Sequence, residues 1–292
     1  MFVSYSSYSD FKECPSRFYR KWIMDEGKGD DSHHYAIFGT VTQKLMELFY
    51  KERWYLDGSS VLQRMVDAVP EVLDLCLRDI YVNWEAPFFN DTPETIIQGV
   101  QDILPGILQS VKDYKLLAPQ TDVEIFVKGK LTNEDEVGGR IDFRYASADE
   151  VWIVDGKAGR KKGRFNSSDQ LLFYALATFL SEQIVPKKLV FWWYRFAERN
   201  EAGVWDTGKM WDEIFWTAAD LRDLRDRLIQ MTNAVKREEF DATPTPSACR
   251  YCRYAQVAGS CIPYSAMQVK RKAARTKPDD KIDFGPKGVL KL

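Results

Sequence analysis

Gly138-Gly139-Arg140-Ile141-Asp142-Phe143-Arg144-Tyr145, a polar turn from Ala146 to Glu150, and then Val151-Trp152-Ile153-Val154-Asp155-Gly156-Lys157 form the stretch on which the fold turns. Two runs rich in β-branched and aromatic residues, joined by a short polar segment, read as paired strands. Asp142 lies on the first and Asp155 ends the second. Lys157 follows Asp155 by two positions, so in an extended chain it points to the same side. Two adjacent strands then deliver two carboxylates and one ammonium to a single point. Hard divalent cations such as Mg²⁺ are held by one or two carboxylates plus water and substrate phosphates. Such an ion acidifies water and neutralises charge developing on a phosphodiester. A lysine beside it positions the attacking water or stabilises the charged transition state.

Working outward, Val123, Ile125 and Val127 alternate with Glu124, Phe126 and Lys128, the pattern of a further strand upstream. The chain before it is helical in period. Val41, Leu45, Leu48 and Phe49 follow Gly39 at helical spacing, and Leu62 to Ile80 does the same with Pro70 as an expected kink or break. Ile96 to Val111 is a third helix, interrupted near Pro105. Downstream, Ser167 or Ser168 caps a helix carrying Leu171, Leu172, Tyr174 and Phe179. Lys188–Phe196 is an aromatic-rich strand in which Trp192, Trp193 and Tyr194 read as core, with base stacking in a single-strand channel as the alternative. Leu221 to Val235 is amphipathic and helical. Pro244 and Pro246 mark an extended connection after it. The expected layout is a mixed α/β chain with a central mixed sheet flanked by helices. It comprises a helical lobe over 1–120, a core over 121–240, a cysteine segment over 241–269 and a basic tail over 270–292.

Composition narrows the function classes. With 292 residues, 45% of them hydrophobic and 14% aromatic, the chain can bury a substantial core and is not disordered as a whole. It has no apolar run long enough for a membrane span and no secretory signal, so a soluble cytoplasmic protein, of a bacterium or a phage-infected cell, is expected. The net charge of −2 neither demands nor forbids nucleic acid, but the cations cluster. Five of the eight residues from Lys157 to Arg164 are basic (Lys157, Arg160, Lys161, Lys162, Arg164), with two glycines. This loop beside the carboxylates is a candidate phosphate contact. The tail from Lys270 to Leu292 carries eight Lys or Arg against three Asp.

Of five cysteines, Cys249, Cys252 and Cys261 form a C-x2-C-x8-C array near the C-terminus, and Cys14 lies near the other end. A reducing compartment argues against a disulfide framework. Four thiolates suit either Zn²⁺ or a [4Fe–4S] cluster. With Cys14 as fourth ligand, the group would clasp the two ends of the chain, and its ligation energy would be folding energy. Cys76, in an apolar stretch, reads as a small buried hydrophobe.

Gly139-Arg140-Ile141-Asp142, then Asp155-Gly156-Lys157, then Gln170 and Tyr174, with Glu124 upstream, resemble the PD-(D/E)XK nuclease superfamily in its RecB-like branch. Tyr8-Ser9-Asp10-Phe11 through Cys14-Pro15-Ser16-Arg17-Phe18 looks like that branch's opening motif. The resemblance implies a restriction-endonuclease-like core. It makes Asp142 and Asp155 ligands of Mg²⁺ or Mn²⁺, places Lys157 on the nucleophilic water, has Gln170 and Tyr174 contact DNA or brace the site, and adds Glu124 as an accessory ligand. The early cysteine with a late triplet resembles the iron–sulfur nucleases of that branch, among them CRISPR-adaptation nucleases and AddB-type subunits, which favours [4Fe–4S] over Zn²⁺. One position departs from the pattern. The branch places a metal-binding histidine in Gly-x-x-x-His, whereas Gly39-Thr40-Val41-Thr42-Gln43 offers a glutamine carbonyl as the metal ligand. His33 and His34 read as loop residues.

The function these readings imply is metal-dependent DNA exonuclease activity, on single strands or ends, in recombination, repair or phage genome processing. A homo-oligomer or a recombination or replication partner is compatible with it. Two alternatives are a non-catalytic DNA-binding or scaffolding subunit, to which Gln43 lends weight, and a redox-sensing iron–sulfur DNA-binding protein.

Overall fold

The computed structural model describes residues 1–26, 36–79, 82, 84–85, 91–116, 121–147, 150–159, 168–250, 252–256 and 261, leaving out the side chains of 247 and 250. His33, His34, Ser167, the basic residues Arg160, Lys161, Lys162 and Arg164, and the tail 270–292 lie outside the described residues. The chain divides into two compact units, one of residues 1–5 and 27–233, the other of residues 6–26 and 234–292.

The first unit begins with β1 (Phe2–Val3); α1 (Tyr5–Glu13) and α2 (Pro15–Phe18) then lead into the second. Back in the first unit come α3 (Ile37–Lys51), α4 (Val61–Asp79) and α5 (Pro93–Asp113). Neither proline breaks its helix: α4 runs through Pro70 and α5 through Pro105. A proline leaves the carbonyl four residues before it without its helical donor. For Pro70 that carbonyl belongs to Val66, and Gln101 Nε2 of α5 donates to it at 3.0 Å. The apolar face of α4, including Met65, Val69 and Leu73, therefore stays buried as one stripe.

The sheet comprises β2 (Thr121–Lys130), β3 (Glu136–Ala146), β4 (Val151–Lys157) and β5 (Lys188–Trp193), with α6 (Ser168–Glu182) between the last two. A small hairpin of β6 (Glu198–Arg199) and β7 (Trp205–Asp206) precedes β8 (Trp211–Glu213), after which α7 (Ala218–Lys236) begins. The strand order is β1-β3-β4-β5-β8, with β2 along the other edge of β3. Strands β3 and β4 are antiparallel, whereas β4 and β5 are parallel. This is the mixed α/β sheet flanked by helices that the sequence predicts. Strand β5 is shorter than expected, ending at Trp193 where the chain turns.

Helices α3, α4 and α5 share one apolar core with Phe143, Val154, Val190, Trp192 and Tyr194. Helix α6 covers the other face and passes close over Gly129 of β2, where a Cβ would clash with the backbone of Leu180 and Ser181. Trp192, Trp193 and Tyr194 are buried, as the core reading requires, and Trp192 Nε1 donates to Ser110 Oγ at 3.0 Å. Among the described residues no helix is long and apolar enough to cross a membrane.

In the second unit, α2 continues into a π-helical turn (Tyr19–Ile23), and α8 (Pro246–Arg250) and α9 (Arg253–Gln256) follow the proline-rich connection. Phe240 stacks against Phe18 and Tyr19, Thr243 Oγ1 donates to Glu13 O at 3.1 Å, and Tyr254 Oη donates to Glu26 O at 2.6 Å. These contacts pair an early segment with a late one.

Candidate functional site

Strand register builds the first site. The β2–β3 ladder pairs Val123 with Phe143 and Ile125 with Ile141, which sets Glu124 opposite Asp142. The β3–β4 ladder ends at Phe143 and Val154, so the next step sets Asp142 opposite Asp155. Three carboxylates thus occupy one row across three strands. Beyond Phe143 the β4 side of β3 has no ladder partner until β1 joins it at Glu136 and Val137. Into that break the Asp142 side chain substitutes for a strand: its Oδ2 accepts the Gly156 N–H at 2.8 Å. Glu124 has φ of 53°, a left-handed conformation inside a strand that a non-glycine residue adopts at a cost of about 1–3 kcal/mol.

Helices reach this row from both faces of the sheet. From α6, Gln170 Nε2 donates to Asp155 Oδ1 at 2.7 Å, and its Oε1 accepts from Lys157 Nζ at 3.0 Å. Lys157 Nζ also lies 2.5 Å from Asp155 Oδ2. Close as that ion pair is, Oδ2 receives no hydrogen bond of good geometry and is fully buried. Tyr174, one turn after Gln170, is buried, and its phenol is pushed up mainly by that burial, with a Gln170 hydrogen bond opposing the shift. From α3, Gln43 Nε2 donates to Glu124 Oε1 at 3.1 Å, while its Oε1 accepts the Tyr194 hydroxyl at 2.8 Å. Arg140 lies 3.7 Å from the same Glu124 carboxylate and is largely exposed.

Electrostatics mark Asp142 and Asp155 as a strained pair. Burial raises the Asp142 pKa well above the usual carboxylate range, the Asp155 charge adds to it, and the Gly156 N–H pulls the other way. Burial likewise raises Asp155, which is 2% exposed, against the lowering effect of Lys157. Two buried carboxylates, only one of them paired with a lysine, lack positive charge, and a divalent cation would supply it. Asp155 Oδ2, buried and facing only the Lys157 ammonium, is the atom that such an ion would take. Among the described residues no group of three or more His, Cys, Asp or Glu is arranged around a common metal position. Two carboxylates completed by water and substrate phosphate are the donor set that Mg²⁺ ordinarily accepts, so the residues fit the ion.

Sequence reading anticipated Glu124, Asp142, Asp155, Lys157, Gln170 and Tyr174, and the structure brings all six together. The hydroxyl of Tyr194 was not anticipated: a residue read as core also holds the Gln43 amide. Its position follows from the parallel β4–β5 pairing, in which the Tyr194 N–H donates to Lys157 O at 2.9 Å, a register no linear pattern displays. Gly156 is required by the same arrangement, since a Cβ there would collide with Tyr194 Oη and lie 2.8 Å from Gln43 Oε1.

The second constellation lies in the other unit. Cys14, Cys249, Cys252 and Cys261 line one pocket together with Arg17 and Arg20. All are free thiols. Burial, foremost, raises the Cys249 thiol, and the other three cysteines add to the shift. Among the described residues no ligating cluster is formed here either, yet the donor chemistry, four thiols around one space, is that of a zinc or iron–sulfur site. Asp10 of the opening segment is buried and pairs with Arg17 at 2.7 Å and Lys21 at 3.3 Å, while Trp22 Nε1 donates to it at 2.9 Å. Those bonds tie α1 to α2 and the π-helical turn across Cys14, the residue between the two helices. Cys76 is buried among apolar residues of α4, apart from this group.

Comparison with known proteins gives one extensive match: the family model described as the PD-(D/E)XK nuclease superfamily covers residues 3–257. No curated protein matches the chain. Among solved structures, the crystal structure of SSO0001 is similar at 14% identity, covering 57% of this chain and 76% of that one, with a TM-score of 0.30, too slight a likeness to carry an argument.

Proposed function

This chain belongs to the PD-(D/E)XK nuclease superfamily, and from that premise we propose that it is a metal-dependent DNA exonuclease acting on single strands or ends, in recombination, repair or phage genome processing. A nuclease with DNA as substrate and Mg²⁺ or Mn²⁺ as cofactor is what membership implies. The observation that carries the catalytic reading is the Asp142–Gly156 hydrogen bond beside the Lys157–Asp155 ion pair, a buried acid pair with its lysine already in place.

Asp142 and Asp155 would hold the divalent ion. When bound, that ion acidifies water and offsets charge on the scissile phosphate. Gln170 fixes Asp155 through its Nε2 and Lys157 through its Oε1, so the carboxylate and the ammonium keep their spacing as substrate enters. Lys157 Nζ orients the attacking water and donates to a phosphoryl oxygen as negative charge builds there. Glu124, clamped by Gln43, is the accessory carboxylate. Gln43 itself bridges Tyr194 and Glu124, which supports a bracing role and leaves its carbonyl one remaining lone pair for a metal. The basic segment Arg160, Lys161, Lys162 and Arg164 follows the site directly in sequence and is proposed to contact phosphates.

The four-cysteine pocket is proposed to hold a [4Fe–4S] cluster, with Zn²⁺ as the alternative occupant. Support comes from the convergence of Cys14 with Cys249, Cys252 and Cys261 around one space. Both readings are tested together by incubating anaerobically purified protein with end-labelled single- and double-stranded DNA in Mg²⁺ or Mn²⁺, beside an EDTA control and a Lys157→Ala variant. Metal-dependent degradation lost in the variant supports the nuclease, and the product ladder gives polarity. Salt-sensitive binding without turnover would move the protein to the scaffolding reading that Gln43 favours. Iron and sulfide analysis of the same sample, against zinc, decides the occupant of the cysteine pocket.

A further inference from the structure

On the face of the first unit formed by α6 and the start of α7, the molecule has an apolar cavity that the nuclease chemistry does not use. Leu176, Phe179 and Leu180 of α6 form one wall, and Trp216 and Leu221 form another. Its volume is about 260 Å³. An apolar cavity of about 150 Å³ is already enough to hold benzene, so this one admits a phenyl ring with room to spare. Exposed apolar surface continues from its mouth: Phe215, next to Trp216, is 95% exposed, and Val185, which lines the cavity, is 57% exposed. An open apolar pocket that extends into an exposed apolar patch is the anatomy of a recognition site.

Charge at the rim specifies the ligand. Arg222 and Arg225, one helical turn apart on α7, line the cavity and are exposed, and neither has an ion pair among the described residues. Of the acidic side chains nearby, Asp223 pairs with Arg227 at 2.9 Å and Asp220 accepts from the Thr217 N–H at 2.7 Å, while Asp226 is exposed beside Arg225 without an ion pair to either arginine among the described residues. Two free guanidiniums at the mouth of an otherwise apolar pocket complement a ligand with carboxylates beside a large apolar side chain. A nucleic-acid strand fits less well. Apart from the two guanidiniums the lining is apolar, which suits a hydrocarbon or phenyl side chain rather than a continuous phosphate backbone.

We propose that this cavity is a docking site for an acidic peptide segment of a partner protein, in which an aromatic or aliphatic side chain fills the pocket and flanking carboxylates pair with Arg222 and Arg225. Occupancy here would tether the nuclease to a partner without involving the carboxylate row.

The test uses fluorescence anisotropy of the full chain with a fluorescein-labelled hexapeptide of alternating aspartate and leucine ending in phenylalanine. Matched peptides carry serine for the apolar residues or lysine for the acids. Saturable binding is expected that is lost with the serine peptide and with the lysine peptide. An R222E/R225E variant should weaken it about tenfold while melting temperature and nuclease rate stay unchanged. Equal binding by the lysine peptide or by R222E/R225E, or displacement of the acidic peptide by an oligonucleotide, would overturn the proposal. So would concentration-dependent dimerisation abolished by R222E/R225E, which would assign the pocket to a second copy. Peptide binding that emerges only after residues 279–292 are removed would assign it instead to this chain's own Asp279–Phe284, which has the same chemistry.

Discussion

The carboxylate row and the cysteine pocket both gather residues that are far apart in sequence, but different forces hold them. Glu124, Asp142 and Asp155 are aligned by two β-ladders whose backbone hydrogen bonds persist whether or not a metal is bound. The cysteines depend on side-chain contacts between short helices, such as Phe240 against Tyr19 and Tyr254 against the Glu26 carbonyl. In the first region the fold precedes its ion and is strained without it. In the second, the proposed metal or cluster would supply part of the fold, because no preformed site exists in the unfolded chain. The contrast between a scaffolded site and a ligand-stapled one can be broken by experiment.

The largest effect is expected at the row. Lys157→Ala should lower the cleavage rate about 10²–10³-fold, the range for loss of a transition-state donor, while the melting temperature holds. A coupled loss of structure would show that the row is not independently scaffolded. Cys14→Ser should do the reverse, removing bound iron or zinc and destabilising the second unit by at least ~3 kcal/mol, a fraction of the ~10–16 kcal/mol apparent binding energy of structural thiolate metal sites. Calorimetry with metal analysis reads this. An unchanged melting profile would remove the distinction between the regions.

Gly156→Ala should cost about 1–3 kcal/mol, since the added methyl meets Tyr194 and Gln43, and denaturant melts measure it. Tyr194→Phe is smaller, about 1 kcal/mol for one buried hydrogen bond. It should lower kcat more than it raises KM, because freeing Gln43 loosens Glu124 and not the DNA contacts.

The pH dependence sharpens the same point. Burial raises both Asp142 and Asp155, so the folded, metal-free protein binds more protons than the unfolded chain above the usual carboxylate range. Its stability should therefore fall as pH rises through that window. Mg²⁺ should reverse the fall, and Asp142→Asn should diminish it. Thermal melts from acid to neutral pH, with and without Mg²⁺, check the sign.

Much of this was legible in the chain. The alternation at Val123 to Val127 and the runs around Asp142 and Asp155 gave strands because a pleated surface demands period two. Asp-x-Lys placed the lysine beside its acid for the same reason. Pro70 misled because propensity counts a lost helical bond and cannot see the Gln101 donor that repairs it from another helix. The left-handed Glu124 was equally invisible, since nothing in its neighbours marks strain. Tyr194 was read only by its ring.

By itself, then, the sequence determined element types, the identity of the acid pair and its lysine, and the cysteine set, because each depends on local periodicity or residue chemistry. Only the tertiary structure decided the row of three carboxylates, the bracing of Gln43 by Tyr194, and the cavity with two arginines at its rim. Those depend on strand register and on which helix covers which face, which are set by packing between segments that share no local pattern.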